Sequence, residues 1–124
     1  MPKIKLRVSL KSSTESSINE YEGILKDDEI IYKDGLNTIK LDFNDHLILT
    51  KQNKGYKITI NFQKDNAYCI YEDIKSNMGL KMNVTNESFE IEEGFVKLNY
   101  TLEEKNKVSY ELKYEVIEWK KKQN

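Results

Sequence analysis

The sequence is poor in the residues that most often carry chemistry. It holds one cysteine, one histidine, one proline and one tryptophan in 124 residues. A lone cysteine, Cys69, excludes an internal disulfide and fits a reducing compartment. It lies in the strand-like run AYCIYEDI and reads as a small buried hydrophobe. The single histidine, His46, would have to serve any Ser-His-Asp site, with Asp42 and Asp45 close in sequence. Its setting, LDFNDHLIL, is instead that of a solvated turn. One His and one Cys would also leave carboxylates to supply the rest of a zinc shell, so no metal site is expected. The five glycines, at 23, 35, 55, 79 and 94, are dispersed, and no phosphate-cradling loop or dinucleotide fingerprint appears. No cofactor is expected.

Other scarcities narrow location and partners. No apolar run is long enough to span a bilayer, and the opening MPKIKLRVSL is charged and alternating rather than signal-like. These features predict a cytoplasmic protein with no membrane partner. Twenty Lys and Arg oppose 21 Asp and Glu, for a net charge of −1. A nucleic-acid binder needs a concentrated positive field, so none is expected here. Because Pro2 is the sole proline, no run is barred from the middle of a sheet.

What the chain does have is alternation. In KIKLRVSLK, Ile4, Leu6, Val8 and Leu10 share one face, while lysines, Arg7 and Ser9 share the other. GYKITINFQ places Tyr56, Ile58, Ile60 and Phe62 together. MGLKMNVT does so with Met78, Leu80, Met82 and Val84, and GFVKLNYTLE with Val96, Leu98, Tyr100 and Leu102. KVSYELKYEVIEW sets Val108, Tyr110, Leu112, Tyr114 and Val116 on one side. Weaker runs are EYEGIL, EIIYK, TIKLDF, HLILTK, AYCIYEDI and SFEIEE. Turn-forming clusters such as KDG, QNKG and TNES separate them at hairpin spacing.

Short links join sequence neighbours, and closure removes exposed sheet edges. The chain therefore reads as all-β: an antiparallel up-and-down meander barrel of about 8–10 strands, in one domain over residues 1–124. Within it, residues 11–20 (KSSTESSINE) read as a flexible loop and 120–124 as a solvated basic tail. With an even strand number, the first and last strands become antiparallel neighbours. Lys5 and Arg7 then share an outer surface with Glu111 and Glu115. Ile117 and Trp119 fall opposite Val116, a phase slip that leaves Trp119 to cover the barrel's end or, as the alternative, to stand outside as an aromatic anchor.

Three stretches also carry a likeness: KIKLRVSLKSSTES, YEGILKDDEIIYKDGLNTIKLDF and YEDIKSNMGLKMNVTNESFEIEEGFVKLNYTLE. In order and pattern they resemble the YwiB-like family, small bacterial proteins of unknown function. Lys75-Ser76-Asn77-Met78-Gly79 stands where that family tends to have a Thr-Pro-Tyr-Gly-like turn. The resemblance implies a calycin-type barrel related in shape to lipocalins, and it implies no reaction.

Acidic pairs such as Asp27-Asp28, Glu92-Glu93 and Glu103-Glu104 lie in turn signals and read as solvated, so the chain is not expected to be an enzyme. The eight tyrosines are more informative. Several share a face with aliphatic residues, and a buried phenol wants a hydrogen-bond partner. Converging in a barrel, such phenols can satisfy one another, hold water or grip a ligand. The candidate ligand-binding set, all assigned to the barrel interior, is Tyr56, Met78, Met82, Tyr100, Tyr110 and Tyr114. The function expected is binding of a small apolar or amphipathic molecule. The alternative is a filled barrel serving as a protein-interaction or structural module with no ligand.

Overall fold

Alternating side chains need a sheet with one dry face, and a closed sheet of ten strands provides it. A computed structural model describes residues 2–44, 46–63, 67–103 and 105–118. The expected solvated tail at 120–124 and the end-covering role of Trp119 lie outside the described residues, as do Asp45 and Glu104. The strands are β1 (Lys3–Ser12), β2 (Ser16–Lys26), β3 (Glu29–Asp34), β4 (Asn37–Asp42) and β5 (Ile48–Gln52). They continue as β6 (Tyr56–Asn61), β7 (Tyr68–Asp73), β8 (Met78–Glu92), β9 (Phe95–Leu102) and β10 (Asn106–Glu118). Each pairs antiparallel with the next, and β10 returns to β1, so the meander closes.

The closing seam has the expected charge pattern. Lys5 lies between Glu115 on β10 and Glu22 on β2, and Arg7 between Lys113 and Glu20. Glu111 forms an ion pair with Lys113 at 3.7 Å on the same outer surface. Opposite-charge cross-strand neighbours such as Lys5 with Glu115 and Arg7 with Glu20 contribute about 0.2–1 kcal/mol each, whereas Arg7 opposite Lys113 is a like-charge contact. They favour the register more than they stabilise the fold.

Two segments depart from the reading of the sequence. Residues 11–20 are not a loop: β1 runs through Ser12, β2 begins at Ser16, and Lys11 pairs with Ser16. The Ser12 hydroxyl accepts hydrogen bonds from the Thr14 and Glu15 amides, and Ser13 donates to Asn106 at 2.7 Å. Small hydroxyl side chains thus close a tight turn where their polarity suggested a long loop. The second departure is TNES, which is a β-bulge inside β8. Thr85 pairs with Thr101 and Ser88 with Asn99, so β8 carries one extra residue there. Before the bulge, even-numbered residues point inward; after it, the odd-numbered Phe89 and Ile91 do. That change of phase makes one strand look like two.

The interior is packed unequally. At the end where β1 starts, Ile4, Leu6, Ile30, Leu41, Val96 and Leu112 are all inaccessible to solvent. Leu47 and Phe62, from two connections at that end, complete the plug, the Phe62 amide donating to the Leu47 carbonyl at 2.9 Å. Gly23 belongs to this packing: an added Cβ would lie 2.6 Å from the Ile31 carbonyl and 2.8 Å from a Leu6 methyl. The absent side chain lets β2 pass close to its neighbours. The opposite end is hollow.

Candidate functional site

The hollow is a cavity of about 460 Å³ that opens between the turns linking β1 to β2, β3 to β4 and β5 to β6. Its volume lies in the range of small-molecule sites. Aliphatic walls come from Val8 and Leu10 on β1, Leu49 on β5, Ile58 and Ile60 on β6, and Met82 on β8. Alternation along each strand presents them inward.

Three buried or half-buried phenols converge on one wall. Tyr32 and Tyr110 meet with their hydroxyl oxygens 2.6 Å apart, one donating to the other. The Tyr21 ring lies tilted against Tyr32 with centroids 5.0 Å apart. Each phenol owns one hydrogen, so the pair consumes one and leaves one O–H to donate elsewhere. Burial raises the pKa of both Tyr32 and Tyr110 above the ordinary phenol value; their mutual hydrogen bond offsets part of the rise for Tyr32 and adds to it for Tyr110. Tyr21 is also raised, by burial and then by the Asp34 carboxylate beside it.

Tyr100 stands apart from that group. It is 8% exposed, packs its ring edge-on against Phe62 at 5.4 Å, and lines the cavity. Among the described residues its hydroxyl has no hydrogen-bond partner. Burial raises its pKa, with nearby Cys69 a smaller contribution. Cys69 itself is buried on the cavity wall, and burial pushes its thiol up to about 11. Thiol and phenols are therefore protonated at neutral pH, when they are poor nucleophiles.

Charge is confined to a few positions on the lining. Asp34 ends β3, Lys51 is the penultimate residue of β5, and Glu15 comes from the turn before β2. Apolar side chains are exposed on the hairpins around this end: Leu36 at 93%, Ile74 at 45%, Met78 at 69% and Leu80 at 60%.

The structure divides the six candidates named from sequence. Tyr100, Tyr110 and Met82 line the cavity together. Tyr56 and Met78 do not: both lie at the outer ends of their strands, Tyr56 stacked on Tyr71 at 5.7 Å and Met78 largely in solvent. Tyr114 shares the face of Tyr110 but pairs with Leu6 near the plugged end. Alternation assigns a face; it does not assign a depth along the barrel. Conversely, Tyr21, Tyr32, Asp34 and Lys51 went unnamed. The signal was present, since Ile30, Tyr32 and Asp34 alternate, as do Leu47, Leu49 and Lys51. In EIIYKD the adjacent Ile30 and Ile31 blur the period, and a terminal charge reads as part of a turn. His46 sits in the β4–β5 connection, away from the cavity lining.

No family model, curated protein or solved structure matches the chain.

Proposed function

We propose that this protein binds a small apolar or amphipathic molecule in the open half of its barrel and does not act as a catalyst. The observation that carries the reading is the unequal filling of the interior: side chains pack one end solidly and leave about 460 Å³ at the other. A barrel serving only as a scaffold gains from filling that space, because each unfilled volume forfeits dispersion contacts. The lining is mostly aliphatic and aromatic with a few convergent polar groups, the composition of a binding pocket. The hydroxyl of Tyr100, which bonds no described residue, supports a ligand with an acceptor atom. Protonated thiol and phenols favour binding over turnover. The calycin-type barrel implied by the YwiB-like resemblance agrees with the closed meander, and it bears on shape alone.

Native mass spectrometry of protein purified from its own cells tests the reading, paired with titration of the neutral fluorophore N-phenyl-1-naphthylamine. The expected result is retained small-molecule mass, and saturable fluorescence that Met82→Trp weakens by narrowing the cavity. Absence of retained mass together with unsaturable, Trp-insensitive fluorescence would overturn it in favour of the interaction-module reading.

A further inference from the structure

We infer that the ligand is a monoanion: an apolar molecule bearing one carboxylate, which Lys51 meets inside the cavity. The inference rests on the ligand-binding reading above and adds the charge of the ligand to it.

Lys51 occupies an inward position. It follows the cavity residue Leu49 by two residues on β5, and its cross-strand partners are Ile39 on β4 and Ile58 on β6. Both partners line the same cavity, and Ile39 is 6% exposed. A cation on an apolar wall loses hydration and needs a counter-charge to recover the cost. Two lysines on the outer surface do hold carboxylates: Lys40 pairs with Glu29 at 3.3 Å and Lys113 with Glu111 at 3.7 Å. Among the described residues Lys51 has no ion pair and no hydrogen bond of its side chain. An inward face needs no lysine for solubility, and a third aliphatic residue after Leu47 and Leu49 would extend the wall. The position sets a half-buried ammonium group on an otherwise aliphatic stretch of the lining, where an anion held in the cavity can meet it.

The remaining charges select among anions. Asp34 and Glu15 line the same cavity, against the single cation Lys51. Asp34 lies beside the Tyr21 hydroxyl, which gives it a partner of its own. Two carboxylates stand in the lining beside one described ammonium, so a second negative charge on a ligand finds no second cation. A dianionic phosphate would meet more repulsion than attraction there, whereas a single carboxylate can bond Lys51 and keep its distance from the acids. The aliphatic walls take the apolar body.

A matched ten-carbon series isolates the head group: decanoate, decanol, decylammonium and decyl phosphate, titrated by calorimetry at neutral pH. The wild-type protein should bind decanoate about tenfold more tightly than decanol and tighter than the phosphate, as a charge-assisted hydrogen bond implies. Lys51→Met should erase the preference for decanoate over decanol while decanol still binds, which also shows that the variant is folded. Lys51→Arg should restore it. Equal binding of decanoate and decanol by the wild type, or a preference unchanged in Lys51→Met, overturns the inference and leaves the ligand reading standing. If no member of the series binds the wild type, the ligand reading itself falls and takes the inference with it.

Discussion

Tyr32 and Tyr110 are 78 residues apart in the chain, yet their hydroxyl oxygens lie 2.6 Å apart in the barrel. Their strands are not neighbours: β3 and β10 are separated by β1 and β2. The contact therefore spans two intervening strands inside the barrel rather than running along a ladder, and it ties β3 to β10. Removing one hydroxyl strands the other in a buried site. Tyr32→Phe and Tyr110→Phe should each destabilise by about 1–3 kcal/mol, and the double variant by less than the sum. Urea unfolding of the four proteins measures the coupling; strict additivity would mean that the two hydroxyls do not bond.

The same burial makes stability fall in alkali. Burial holds Tyr32, Tyr100 and Tyr110 above the ordinary phenol value of 10.0, and it lifts Cys69 from 9.0 to about 11. Above these ordinary values the unfolded chain loses protons that the folded chain keeps, so rising pH favours unfolding. The contribution of Cys69 is complete below pH 9 and disappears as pH passes about 11. That of the tyrosines is complete below pH 10 and is lost above it. Urea midpoints should stay level with respect to these groups up to pH 9 and then decline. The decline should be shallower in the Tyr32→Phe, Tyr110→Phe double variant, and an identical slope would contradict this account.

Two glycines in strands make a paired test of packing. At Gly23 a methyl group meets a backbone carbonyl at 2.6 Å, which cannot rotate away. Gly23→Ala should cost about 1–3 kcal/mol through overpacking. At Gly79 the nearest atom, the Tyr71 carbonyl, lies at an ordinary 3.5 Å. There the substitution mainly restricts the unfolded chain and should stabilise by about 0.4–1 kcal/mol. Thermal melts of the two variants should move in opposite directions.

The fold was legible wherever one face is dry and the other wet along a whole strand. β1 and β10 are of this kind and most of β9 is, and their alternation leads to the closed meander and to the seam that sets Lys5 beside Glu115. Legibility failed where both faces are wet. At the start of β2, Ser17 and Asn19 line the mouth of the cavity while Ile18 is 62% exposed outside, so the pattern there is inverted. It failed again at the bulge, where one extra residue exchanges the faces of β8. The site was half legible for a further reason. Period two tells inside from outside, whereas cavity and plug differ in height along the same face, which depends on strand stagger around the barrel. Tyr110 and Tyr114 have the same sequence signature and lie at different depths.

That difference in depth has an energetic signature. Leu41 and Phe62 belong to the plug and are 0% and 1% exposed. Leu41→Ala should cost about 2–5 kcal/mol and Phe62→Ala about 3–5 kcal/mol, because close neighbours cannot collapse onto the space. Met82 borders an existing void, so Met82→Ala removes fewer contacts and should fall below that range. Chemical denaturation distinguishes the two halves of the barrel; equal losses at Met82 and Leu41 would mean that the open half is as tightly packed as the plug.

Tyr100 separates stability from binding within one side chain. Its ring is buried against Phe62, so Tyr100→Ala should destabilise by about 3–5 kcal/mol. Its hydroxyl bonds no described residue, so Tyr100→Phe removes no protein contact and should change stability by less than about 0.5 kcal/mol. A ligand atom accepting that O–H would lose its partner in the same variant. Retained small-molecule mass in native spectra should therefore fall in Tyr100→Phe at unchanged urea midpoint. Loss of stability without loss of retained mass would show instead that the hydroxyl serves the fold, through a partner such as ordered water, and that the ligand makes its polar contacts elsewhere in the cavity.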